Sequence, residues 1–315
     1  MSSKNLISAW LTLLCFSAAA KSPLEISIQP GRGEIEARFK GQKIFVYAFS
    51  TNQLKPYVRE LYTLRGDNIL RDSPPDHLHH HGLMYAICIN GTNFWEEKDA
   101  PGCEKSIELL AHNVGKNPSG LPQASFTQLI HWVAPQNKDL ADTKSAALLI
   151  ERRTITLTVD EAREEVAVQW RADFQVGPAT KTATLQGTIY HGLGLRLPLS
   201  FDHVAQFQNP QKENFSEEKN HQALPAPWTS VSGKIDGREI TAALFSKSSN
   251  AGESRIFAMA DPFCYLSATQ NLIEKPLAYS AGDKFSLDYL LTVYPTKKSS
   301  NFLQQRFQNW EQKKK

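Results

Sequence analysis

The sequence predicts an all-β fold, a sandwich or barrel of short strands with a single helix at the C-terminus. Three observations carry this. Segments of alternating or continuous apolar residues recur at strand length along most of the chain. Gly, Pro, Asn and Asp punctuate them at short intervals, as in Asp236-Gly237 and Ala281-Gly282-Asp283. Helical periods are few, which argues against βαβ units and a parallel sheet.

In chain order, strands are expected at 25–29, 44–47, 147–150, 154–159, 165–170, 183–190, 240–246, 256–260 and 285–294. Met84 to Ile89, then Asn90-Gly91, then Thr92 to Trp95 has the form of a hairpin, because a two-residue type I′ turn needs positive φ at both central positions. The polar, proline-bearing stretch 207–228 shows no period and reads as a long loop of the kind that borders binding sites. Ser299 or Ser300 caps a helix that carries Phe302, Leu303, Phe307 and Trp310 on one side, a stripe suited to packing on a sheet. No internal repeat or domain boundary is visible, so residues 21–315 are expected to form a single domain.

Residues 1–20 have the form of a signal peptide: Lys4, an apolar run from Leu6 to Phe16, then Ala18-Ala19-Ala20. The expected location is the periplasm or beyond. A lipoprotein acylated at Cys15 is the rival reading, disfavoured by the bulky Leu14 before it. The apolar run is too short to span a bilayer, and no later stretch is long enough. Net charge is only +3 and the basic residues are scattered, which excludes the clustered basic face of a nucleic-acid binder. Cys88, Cys103 and Cys264 remain after cleavage; Cys88–Cys103 is a plausible disulfide by proximity, and CxxC pairs are absent.

The strongest chemical signal is Asp76-His77-Leu78-His79-His80-His81-Gly82, which holds four of the nine histidines of the chain. The Asn-Gly register sets Ile89 opposite Thr92 and Ile87 opposite Phe94. Leu83, Tyr85, Ile87, Ile89 and Phe94 then form a core face. Gly82, Met84, Ala86, Cys88, Asn93, Trp95 and Glu97 form the other. There Trp95 offers a flat apolar plate beside hydrogen-bonding groups, an arrangement suited to sugars. If the strand extends backwards, His80 points to the Trp95 face and His79 and His81 point away from it.

Three readings of the run compete. The histidines satisfy a strand entry, or they move protons and grip a polar ligand with the help of carboxylates, or Asp76, His77 and His79 ligate a metal. The proton-transfer reading is preferred. The spacing matches no closed metal motif, so no metal or other cofactor is expected. Elsewhere Arg71, His191, Arg196 and Asp261 are candidate ligand contacts. The glycines of Tyr190-His191-Gly192-Leu193-Gly194-Leu195-Arg196 do not form a phosphate loop and suit close backbone approach.

These residues resemble a known family. Lys55-Pro56-Tyr57, Gly66, Arg71-Asp72, Pro75-Asp76-His77, His79-His80, Gly82-Leu83, Asn90-Gly91 and Phe94-Trp95 follow the order of the soluble "methane oxygenase PmoA-like" domains, as do Tyr190 to Arg196 and Asp261-Pro262-Phe263. The chain departs from that pattern at Leu78, at His81 and at Ser246-Lys247-Ser248. The resemblance implies a galactose-mutarotase-like β-supersandwich, export and proximity to carbohydrate degradation.

The expected function is therefore an exported carbohydrate-processing protein with epimerase, hydrolase or lyase chemistry. His77 and His80 are its acid/base candidates, and Asp76 orients a histidine. Arg71, His79, Asn93, Trp95, His191, Arg196 and Asp261 contact the ligand, a carbohydrate or sugar-derived small molecule. A non-catalytic carbohydrate-binding protein is the alternative, and a metal-dependent oxidase, suggested by the family name, ranks third.

Overall fold

The computed structural model describes residues 22–210 and 223–312. The signal-peptide reading and residues 211–222 of the expected loop lie outside the described residues.

Among the described residues the strands form two large antiparallel sheets and one small one. The first runs, neighbour to neighbour, through Leu24–Gln29, Glu34–Phe39, Gln42–Ala48, Tyr57–Leu61, Leu83–Ala86, Gly192–Arg196, Tyr265–Thr269, Arg255–Met259 and Ala223–Pro225. The second runs through Gln206–Gln208, Trp228–Ile235, Arg238–Ser246, Lys284–Tyr294, Glu165–Val176, Ala147–Asp160, Pro122–Val133 and Cys103–Lys116. The two face each other across an aromatic core. Tyr85 of the first sheet meets Trp132 and Phe174 of the second with ring centroids 6.0 and 5.9 Å apart, and Tyr47 meets Phe126 at 5.0 Å. This is the expected β-sandwich.

The helix is Ser300–Glu311, capped by the Ser299 hydroxyl, which accepts from Phe302 N. Leu303 and Trp310 pack on Trp228, Phe245 and Leu290, the outer face of the second sheet. Lys247 Nζ donates to the Trp310 and Glu311 carbonyls at 3.0 and 3.1 Å, closing the C-terminal end.

The sequence reading divides one strand in two. Residues 147–150 and 154–159 belong to the continuous strand Ala147–Asp160, and alternation places Glu151 and Arg153 on its core face with Leu149, Ile155 and Leu157. Charged residues at core positions hide the period. Arg153 Nε and Nη2 donate to the two carboxylate oxygens of Glu151 at 2.6 and 2.8 Å, and Nη2 also reaches Glu104 Oε2 at 2.9 Å. Nη1 crosses to the first sheet and donates to the Pro56 carbonyl at 2.8 Å. Burial raises the pKa of Glu104 despite Arg153, and its Oε1 has no hydrogen-bond partner among the described residues. One guanidinium facing two buried carboxylates favours a proton on the second.

The Asn-Gly hairpin has the expected register, with Ile89 opposite Thr92 and Cys88 opposite Asn93. Asn90 and Gly91 have φ of 50° and 79°. The face expected to be open is not. Leu83–Ala86 lies inside the first sheet between Tyr57–Leu61 and Gly192–Arg196, and its four residues are all buried. The disulfide reading is also corrected: Cys88, Cys103 and Cys264 are free thiols.

Candidate functional site

The site lies on the outer face of the first sheet, where its middle strands leave room. Cross-strand pairing puts Arg196, Tyr265 and Met259 on one row, and Gly194, Ser267 and Phe257 on the next. Gly194 sets the depth of this face. A Cβ there would stand 1.7 Å from the Tyr265 hydroxyl and 3.1 Å from the Trp95 ring. Without one, both rings settle over the strand. Together with the incoming histidine turn they bound a cavity of about 530 Å³, walled by Trp95, Tyr190, Phe257, Phe263 and Tyr265.

The histidine run is a turn, not the start of a strand. His77 N donates to Pro74 O and His80 N to His77 O, each at 2.9 Å, and the strand begins only at Leu83. Alternation therefore does not apply, and the expectation that His79 faces away from His80 is corrected. His77, His79 and His80 all line the cavity. His77 stacks on His80 with centroids 4.5 Å apart, and His79 meets His80 edge-on at 4.6 Å.

His81 does turn away. Its Nδ1 is 2.9 Å from Asp72 Oδ1 and its Nε2 2.9 Å from Glu97 Oε1, and its ring stacks on Tyr57 at 4.1 Å. Burial opposes its charge, yet hydrogen bonds to the two carboxylates outweigh this and raise its pKa. Lys55 Nζ completes the network, donating to Glu97 Oε1 at 2.9 Å and to the Trp95 carbonyl at 2.8 Å. This network fixes the wall that carries Trp95.

The chemistry of the cavity follows from one ion pair. Arg196 Nη2 donates to Asp76 Oδ2 at 2.8 Å, and the same oxygen is 3.1 Å from His77 Nδ1. Arg196 Nη1 lies 3.3 Å from His80 Nδ1, and its guanidinium sits 3.7 Å above the centre of the Phe263 ring. Burial of Asp76 favours its neutral form, but hydrogen bonds from His77 and Arg196 prevail and hold its pKa down to about 2. Asp76 is thus a carboxylate that only accepts, so neutral His77 carries its proton on Nδ1 and keeps a lone pair on Nε2. Arg196 only donates, so His80 accepts at Nδ1 and carries its proton on Nε2. Burial first, then the neighbouring His79, His77 and Arg196, push the His80 pKa down to about 2. Burial, then Lys55, lowers that of His79. Two stacked rings of opposite tautomer result: neutral His77 presents a lone pair at Nε2, and His80 presents a proton there.

The same tautomer bears on metal binding. A ligating imidazole offers a lone pair, and the Arg196 contact commits His80 Nε2 to a proton. Among the described residues no group of three or more His, Cys, Asp or Glu is arranged to hold an ion.

The remaining sequence candidates are dispersed. Trp95 lines the cavity but is 1% exposed, and one face of its ring is covered by His191, stacked at 5.1 Å. It is a wall, not an open plate. His191 lies behind it, outside the cavity, and burial followed by Lys55 pushes its pKa down to about 3. Asn93 Oδ1 accepts from Trp95 N and Glu96 N at 2.8 and 3.2 Å, shaping the turn that delivers Trp95. Asp261 is exposed and paired with His203 at 2.7 Å. Arg71 lines an adjoining groove. Sequence reasoning missed Phe257, Met259 and Tyr265, which come from strands whose spatial neighbours no local pattern reveals. Phe263 adjoins the Asp261-Pro262 turn, and it is this ring, not the charged Asp261, that lines the cavity.

A family described as a "Family of unknown function (DUF6807)" matches residues 34–308, most of the chain. The chain belongs to this family. The DUF6807 match replaces the PmoA-like resemblance, because it accounts for the same residues. No curated protein matches the sequence. Among solved structures, this DUF6807 chain is similar to the GH36 α-galactosidase AgaB of Geobacillus stearothermophilus, with 10% identity and a TM-score of 0.46 over 86% of this chain and 41% of that one. It is similar to the galactosidase domain of the α-galactosidase–sucrose kinase AgaSK, with 8% identity and a TM-score of 0.46 over 86% and 42%. A TPR-domain containing protein from Parabacteroides distasonis also matches, at 10% identity and a TM-score of 0.43 over 84% and 48%. The chain thus spans less than half the length of each of these proteins.

Proposed function

We propose that this protein is an exported enzyme that moves a proton on a carbonyl-bearing sugar derivative, with His77 as base and His80 as neutral hydrogen-bond donor. The observation that carries the reading is the Arg196–Asp76 pair, which engages Nδ1 of both stacked rings and so favours opposite tautomers in them. The volume falls in the range of small-molecule sites. Aromatic walls with a few convergent polar groups suit the C–H faces and hydroxyls of a sugar. Export rests on the form of residues 1–20.

In this reading His77 Nε2 removes a proton from the carbon beside the carbonyl. The C–H electron pair becomes the C=C bond of the enolate, and the oxygen that gains charge accepts from His80 Nε2–H. A neutral imidazole suits that task because its proton is shared with the developing oxyanion without first being lost to water. Delivery of a proton from water to the opposite face, with His77 releasing its own to solvent, gives the epimer. Expulsion of an oxygen substituent from the next carbon, with that proton, gives elimination. Hydrolysis is disfavoured, since it needs a carboxylic acid of raised pKa, and Asp76 is held at about 2.

Binding is checked by thermal shift against aldoses, ketoses and uronates. A ligand at 100 times its dissociation constant is expected to add about 2.7 kcal/mol of stability. No shift with any member of the panel overturns the reading.

A further inference from the structure

Beside the histidine cavity lies a second groove of about 550 Å³, lined by Arg71, Pro75, Leu199, Asp202 and His203. Asp76 and Pro262 line both, so the two adjoin at the carboxylate that contacts His77. Arg71 Nη1 stands 3.6 Å from Asp202 Oδ2, too far for a hydrogen bond, while Asp202 Oδ1 accepts from Cys264 N at 2.7 Å. The carboxylate is therefore fixed in place, and the two charged groups lie next to each other without closing on one another. Such a pair, donor beside acceptor, suits two adjacent hydroxyls. Leu199, 67% exposed, and Pro75 and Pro262 add apolar surface for the C–H face of a ring.

We propose that this groove is a second sugar subsite, so that the ligand is a glycoside of at least two rings spanning both cavities, with the reacting carbon near Asp76 and His77. The inference rests on the carbohydrate reading above and adds the size of the ligand and the place of its second ring. Asp202 offsets Arg71, while Asp76 is already paired with Arg196, so the groove suits a neutral hydroxylated ring better than an anionic one.

The test compares dissociation constants of glucose and galactose with those of the reducing disaccharides cellobiose, maltose and lactose, by calorimetry on the whole protein. At least one disaccharide is expected to bind ten-fold or more tighter than its component monosaccharides. R71A and L199E, both changes at a partly or fully exposed position, are each expected to remove that gain. Equal affinity for mono- and disaccharides, or a gain that survives both substitutions, overturns the subsite and leaves the carbohydrate reading intact. Failure of all five sugars to bind overturns the subsite, and the carbohydrate reading falls with it only where the wider panel of aldoses, ketoses and uronates also gives no thermal shift.

Discussion

Replacing His77 by Gln is expected to lower turnover about 10²–10⁴-fold while leaving ligand affinity within a few fold. The amide of Gln donates to the Asp76 carboxylate as the imidazole does, so the Arg196–Asp76 pair and the stacked His80 stay in place. What is lost is the Nε2 lone pair. The role is confined to proton transfer, so the loss falls on the rate and not on binding. Steady-state kinetics and calorimetry on the same preparation check this. A collapse of affinity with no turnover in the wild type would instead mark a non-catalytic carbohydrate-binding protein.

The largest effect on stability is expected at Arg153, far from the cavity. Arg153→Met removes the cation paired with both Glu151 and Glu104, all three being fully or almost fully buried. Breaking a buried pair by deleting one partner costs about 3–5 kcal/mol, because the remaining charge has no water to turn to. Urea denaturation measures it, and a loss below about 1 kcal/mol would contradict this description of the core. The sign of the pH dependence follows from Glu104. Its folded pKa is raised above the ordinary carboxylate value, so the folded state holds the proton longer than the unfolded chain does. This group therefore favours folding less and less as pH rises from the carboxylate range toward its folded pKa.

Much of the sandwich is legible locally, because strands with one buried face alternate and turns use Asn-Gly and Asp-Gly. The hairpin register is an example: Ile89 opposite Thr92 follows from turn chemistry alone. Legibility fails where tertiary contacts overrule the local pattern. Glu151 and Arg153 occupy core positions since they satisfy one another along the same strand and Arg153 also reaches the Pro56 carbonyl of the facing sheet, which no propensity reveals. Cys103–Lys116 is an outer strand with many exposed residues, so it carries no apolar period.

The site divides in the same way. Its histidines announce themselves by density, but their roles depend on Arg196, which stands 120 residues from Asp76 in sequence and in hydrogen-bond contact in space. Extending strand alternation into 76–82 sent His79 to the wrong side, because backbone hydrogen bonds from His77 to Pro74 and from His80 to His77 make that segment a turn. Tyr265 and Phe257 join the site through cross-strand pairing that only the assembled sheet defines.

The most direct test of the proton-transfer assignment is exchange of the carbon-bound hydrogen with solvent. The protein is incubated in D₂O with a keto-sugar or a uronate that gives a thermal shift, and deuterium at the carbon beside the carbonyl is followed by NMR. Incorporation by the wild type, falling at least a hundred-fold in His77→Gln, is the expected result. A bound sugar that acquires no deuterium and yields no elimination product, or exchange at the same rate in the variant, would contradict it.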